Sequence, residues 1–114
     1  MIVEMRTYEL EPGCVPAFLA LMESEGIPIE RPALGQMLGF YTNEIGTLNQ
    51  VIHLWGYASF EERQRRRATL AADSRWQAFL PKVLPMIRHM RNELLQPAPF
   101  AQPHTLDWDG PMSA

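Results

Sequence analysis

Hydrophobic and polar positions alternate loosely along residues 2–10, IVEMRTYEL, and the pattern stops at Pro12-Gly13, a pair that turns the chain. A first strand is predicted there. The period then changes: Val15, Phe18, Leu19 and Met22 recur at i, i+3, i+4 and i+7, which is one stripe of a helix. Pro16 suits its first turn, and Gly26 followed by Pro28 ends the regular run, with an irregular extension towards Pro32. Residues 36–44, QMLGFYTNE, and 49–57, NQVIHLWGY, flank a short loop containing Gly46 and predict a β-hairpin. Ser59 and Glu62 have the spacing of a capping box and start a second helical region. That region breaks at Asp73-Ser74, after which Trp76, Phe79, Leu80, Val83 and Ile87 keep helical spacing despite Pro81 and Pro85. Residues 88–95, RHMRNELL, alternate weakly as a last strand whose charges suit a sheet edge. The pattern gives one domain over residues 1–100 and a Pro-rich irregular tail over 101–114.

The order β-α-β-β-α-β predicts an α+β, ferredoxin-like fold: a four-stranded antiparallel sheet with helices on one face. The third strand adds a further expectation. Val51, His53, Trp55 and Tyr57 point to one side of it and Ile52, Leu54 and Gly56 to the other, so neither side suits water. A second sheet is expected against the face opposite the helices, and an identical subunit is the simplest source of one. A homodimer follows.

Composition narrows the function without naming it. At 114 residues, 46% hydrophobic and 20% charged, the chain is an ordinary globular domain, and its apolar runs are too short for a membrane span. No secretory or transit pattern opens it, and the lone Cys14 suits a reducing compartment, so a cytoplasmic location is expected. A net charge of −3 argues against a nucleic-acid partner. The local exception is RQRRR at 63–67, where Arg63 and Arg67 share one side of a helix; this is read as a solvated face, with anion binding or a dimer contact as the alternatives.

Three segments, MRTYELEPG at 5–13, LNQVIHLWGY at 48–57 and RRRATLAADSRWQAFL at 65–80, resemble the NIPSNAP family. The resemblance covers residues 1–100 in order and with matching spacing. It implies a dimeric α+β barrel, in which the sheets of two ferredoxin-like subunits pack together. It implies no reaction, since the family's biochemical role is undefined, and it leaves the tail unmatched. Related barrel families include cofactor-independent monooxygenases and small isomerases, so the alternative to a ligand-binding or interaction module is an oxygenase-like or isomerase-like enzyme with a pocket between sheet and helices.

The candidate chemistry lies on the two strands that this topology places side by side. In the favoured register Glu4, Arg6 and Tyr8 share a face with Val51, His53, Trp55 and Tyr57, and a one-residue slip would leave two charges in an apolar layer. Six of these residues, Glu4, Arg6, Tyr8, His53, Trp55 and Tyr57, are the pocket candidates, and His53 is the candidate catalytic group, as a base or as a donor to a small-molecule ligand. The competing reading makes His53 architectural, buried near the sheet centre with a ring nitrogen hydrogen-bonded, makes the aromatics core, and pairs Arg6 with Glu4. No metal is expected from the spacing of His53, His89 and His104, and no nucleotide loop, nucleophile elbow or cofactor motif is present.

Overall fold

Strand β1 (Ile2–Leu10) lies in the middle of the sheet, paired antiparallel with β3 (Gln50–Tyr57) on one side and with β4 (Ile87–Leu95) on the other. Strand β2 (Gln36–Thr42) closes the far edge beyond β3, giving the order β2-β3-β1-β4, all antiparallel. The computed structural model describes residues 1–106; the end of the expected tail, 107–114 with Pro111, lies outside the described residues. The predicted ferredoxin-like arrangement is thus present, with the charged β4 at a sheet edge, where its polar side chains meet water.

The first helical region runs further than its stop signals suggest. Helix α1 (Val15–Leu21) passes through a π-helical turn, Met22–Gly26, directly into α2 (Ile27–Leu34), and the junction residues keep helical dihedrals. The π-turn absorbs what a regular helix could not: the Ile27 amide bonds back to the Met22 carbonyl, so the ladder is already re-spaced when Pro28, which has no N–H, arrives. Gly26 makes the turn sterically feasible, because a Cβ there would stand 2.8 Å from the Met22 sulfur and 2.9 Å from the Phe79 ring. Gly35, with φ of +90°, then ends α2 in a conformation that side-chain-bearing residues avoid.

Helix α3 (Phe60–Ala72) begins at the predicted cap, with the Glu62 amide donating to Ser59 Oγ at 3.1 Å, while the Glu62 carboxylate reaches the amide of Ala58 and not that of Ser59. Asp73 is extended, breaks the helix as expected and caps α4 (Ser74–Val83) by accepting from the Arg75 amide. These helices cover one face of the sheet. Val51, Trp55 and Tyr57 are fully buried there against Phe18, Met22, Leu34, Leu70 and Phe79.

The opposite face carries Val3 and Thr7, both buried, and Met5, Ile52 and Leu54, half-buried. Part of its cover comes from the chain itself. Gln96, Pro97, Ala101 and Pro103 border a groove together with Val3, Leu54 and Leu95, and the segment is tied to β2 where the Leu106 amide donates to the Met37 carbonyl at 3.0 Å. Arg31 donates in turn to the Leu106 carbonyl.

A candidate ligand pocket between sheet and helices

The observed ladder pairs Arg6 with His53, Glu4 with Trp55 and Tyr8 with Val51, which is the register expected from the cost of burying charges in an apolar layer. All six pocket candidates therefore lie on the helix-covered face, although only Arg6, Tyr8 and His53 reach the cavity described below. Glu4, Trp55 and Tyr57 lie behind it in the packed core.

Glu4 is completely buried and anchors two cations. Its Oε2 accepts from Arg6 Nη1 at 2.9 Å and from Arg63 Nη2 at 2.8 Å. Burial alone would raise its pKa, but the hydrogen bond from Arg63 and the charges of Arg6, Arg67 and Arg63 hold it below the ordinary value. Arg6 also donates through Nε to the Tyr8 hydroxyl at 2.9 Å, so the oxygen of Tyr8 is engaged while its own O–H is left to donate.

His53 is 1% exposed, with the Phe40 ring stacked on it at 4.7 Å and the edge of Tyr8 at 4.9 Å. Trp55 Nε1 donates to its Nδ1 at 2.8 Å, which fixes the tautomer: the proton is on Nε2. Nε2 is buried and has no acceptor among the described residues. Burial, together with the charges of Arg6 and Arg67, lowers the imidazole pKa to about 3, so the ring is neutral at physiological pH and presents a spare N–H.

Between this face and the helices lies a cavity of about 230 Å³. Its polar side is Arg6, Tyr8 and His53 from the sheet, with Glu30 from α2 and Arg67 from α3; Phe18, Met22, Trp76, Leu80, Val83, Leu84, Ile87 and Met90 form the apolar side. Glu30 was missed by the sequence reading, and Arg67 was given anion binding only as an alternative to a solvated face. Met22, Gly26, Ile27, Glu30 and Leu34 are the buried positions along this stretch, whereas a regular helix would turn Ile29, seven residues after Met22, to the sheet. The extra residue of the π-turn advances the register by one and puts Glu30 there instead. A charged residue flanked by prolines in PIERP was the one available signal. Glu30 is 3% exposed, its Oε1 has no hydrogen-bond partner, and burial, opposed by Arg67 and Arg6 and reinforced by Glu4, raises its pKa to about 7.

Arg67 corrects the solvated-face reading of RQRRR. Arg63 and Arg67 do share a side of α3, but that side faces the sheet: Arg63 binds Glu4 and Arg67 lines the cavity. Arg66 spans to Glu62 Oε1 at 2.9 Å and to the Ala33 carbonyl at 3.2 Å, leaving Arg65 in the exposed role. The Nη1 of Arg67 is buried without an acceptor, and Arg67 makes no ion pair among the described residues. No group of three or more metal-ligating side chains occurs among the described residues, and no helix there is long and apolar enough to cross a membrane.

The NIPSNAP family model matches residues 3–102 of the chain. This chain belongs to the NIPSNAP family. A NipSnap protein of Caenorhabditis elegans is 29% identical over 101 residues, covering 89% of this chain and 19% of that protein. Human NipSnap homolog 3A is 32% identical over 101 residues, covering 87% of this chain and 40% of its own length. The chain thus spans well under half of the curated relatives it matches. Among solved structures, a NIPSNAP family protein of unknown function from Agrobacterium tumefaciens superposes with a TM-score of 0.87 at 42% identity, covering 89% of this chain and 91% of that one. An antibiotic biosynthesis monooxygenase-like protein from Nitrosomonas europaea superposes with a TM-score of 0.60 at 8% identity, a likeness of fold alone. The biochemical role of this NIPSNAP chain is undefined, in keeping with the relatives of unknown function.

Proposed function

We propose that this NIPSNAP chain is a small-molecule-binding module whose site is the cavity between sheet and helices, and that its ligand is a small apolar anion, a carboxylate above all. The observation that carries this reading is Arg67, a half-buried arginine whose Nη1 is itself buried, with no acceptor and no ion pair among the described residues, on the wall of a cavity otherwise enclosed mainly by apolar side chains. A buried guanidinium N–H without an acceptor is costly, and a ligand carboxylate supplies one in bidentate geometry. The His53 Nε2–H and the Tyr8 O–H are two further donors beside it, and an apolar body fits against Trp76, Leu80 and Val83. Cys14, half-buried and unpaired, suits a reducing compartment such as the cytoplasm.

The module works as a two-fold homodimer joined through the sheet face opposite the helices. Half-buried Met5, Ile52 and Leu54 on that face support it, and an obligate interface there would bury on the order of 2,000 Å² or more. Sedimentation tests the dimer, and a compact monomer at micromolar concentration with normal stability would remove it.

For the ligand, native mass spectrometry of the purified protein searches for a co-purified small molecule, and calorimetric titration with 2-oxo-4-phenylbutanoate supplies a defined apolar carboxylate. Arg67→Met should weaken that binding by about tenfold or more while leaving the fold intact. A wild-type protein that carries no small molecule and shows no heat with the probe at millimolar concentration would sink the reading.

A further inference from the structure

We propose that Glu30 is the catalytic residue of this cavity, a general base that removes a proton from the carbon next to the carbonyl of a small apolar oxo-acid. The inference rests on the ligand-binding reading above and adds a reaction to it.

Its ground is the placement of one carboxyl group. Glu30 is 3% exposed, lines the cavity, and leaves Oε1 without a hydrogen bond. Structural carboxylates at such depth are paired, as Glu4 is with Arg6 and Arg63. Glu30 shares a cavity wall with Arg67, whose charge acts on it, yet the two form no close ion pair, so a base and a cation face the same space. The chain reaches this arrangement through a π-turn and a glycine that a Cβ would jam, although a regular helix would have offered the apolar Ile29 in its place. Irregular turns of this kind recur at functional sites.

The chemistry needs nothing further. The Glu30 carboxylate takes the proton from the α-carbon, the C–H electron pair moves into the carbon–carbon bond, and the carbonyl oxygen becomes an enolate oxygen. The neutral His53, whose Nε2–H has no acceptor among the described residues, donates to that oxygen, while Arg67 holds the substrate carboxylate. Glu30 then returns its proton, or the deuteron it has exchanged with solvent, to the same carbon as the carbonyl re-forms, so atoms and electrons balance without an oxidant or a metal. The charged and titratable groups facing this space are Arg6 and Tyr8 from β1, His53 from β3 and Arg67 from α3, with the charge of Glu4 acting from behind them. With its pKa near 7, Glu30 is a stronger base than an ordinary carboxylate and still ionised in large part at neutral pH.

The test uses the full chain with 2-oxo-4-phenylbutanoate in deuterium oxide, with proton NMR following loss of the C3 proton signal and calorimetry following binding. Wild type should bind the probe and speed the exchange about tenfold or more over buffer, with the rate rising from pH 6 to about 8. Glu30→Gln should keep binding within a few-fold and bring exchange down to the buffer rate. Binding by wild type without accelerated exchange, or exchange by Glu30→Gln as fast as wild type, would overturn the catalytic role and leave the ligand reading standing. Absence of binding by wild type would overturn both.

Discussion

Replacing Glu30 by Gln should make the folded protein more stable at alkaline pH, and the size of the effect follows from the site. In the unfolded chain the carboxyl titrates near its ordinary 4.5, whereas in the fold burial raises it to about 7. Between these values the native state binds more protons than the unfolded state, so the stability that Glu30 contributes is complete below pH 4.5 and is lost as pH rises through 7. At about 1.4 kcal/mol per pKa unit, the loss reaches on the order of 3 kcal/mol at pH 8. Gln has the same shape and cannot ionise, so the variant should exceed wild type by roughly that amount at pH 8 and by little at pH 4. His53 acts in the opposite sense: its pKa falls from 6.5 to about 3 on folding, so its contribution is present above 6.5 and is lost as pH falls towards 3. From pH 4.5 to 6.5 the two slopes oppose in wild type, while in Glu30→Gln only the histidine slope remains and stability should climb with pH. Urea unfolding across pH 4 to 8, followed by tryptophan fluorescence, measures both curves. A wild type that matches or exceeds the variant at pH 8, or a difference independent of pH, would show that Glu30 is neither buried nor unpaired as described.

Two further substitutions probe the scaffold. His53→Ala removes the acceptor of the Trp55 N–H and should cost about 1 to 3 kcal/mol, and His53→Gln, whose amide oxygen can accept that bond, should recover part of it; if both unfold and assemble like wild type in urea and sedimentation yet lose only ligand, the architectural role is wrong. Gly26→Ala drives a methyl group to 2.8 Å from Met22 and 2.9 Å from the buried Phe79 ring, and should destabilise by about 1 to 3 kcal/mol; unchanged urea unfolding would refute the close packing assigned to the π-turn.

The sequence by itself determined the order of elements and the ferredoxin-like sheet, and it favoured, without fixing, the face that His53 occupies. Each of these rests on a local rule. Alternation in IVEMRTYEL and NQVIHLWGY marks strands, the Ser59 cap and the Asp73 break are written in short-range hydrogen bonds, and the β1–β3 register was favoured because a slip would push Glu4 and Arg6 into an apolar layer, with the observed ladder settling it. The site was legible only on its sheet side, at Arg6, Tyr8 and His53. Its helical side was decided by tertiary structure, because a helical charge carries no sign of whether its face meets water or the core. Arg67 turns inward since Leu70, three residues on along α3, must be buried, and the buried Glu4 collects Arg63 on that same side. Glu30 depends on one inserted residue in a π-turn, which the 3.6-residue period does not contain and which is held by the packing of Gly26 against Phe79 on a helix more than fifty residues away.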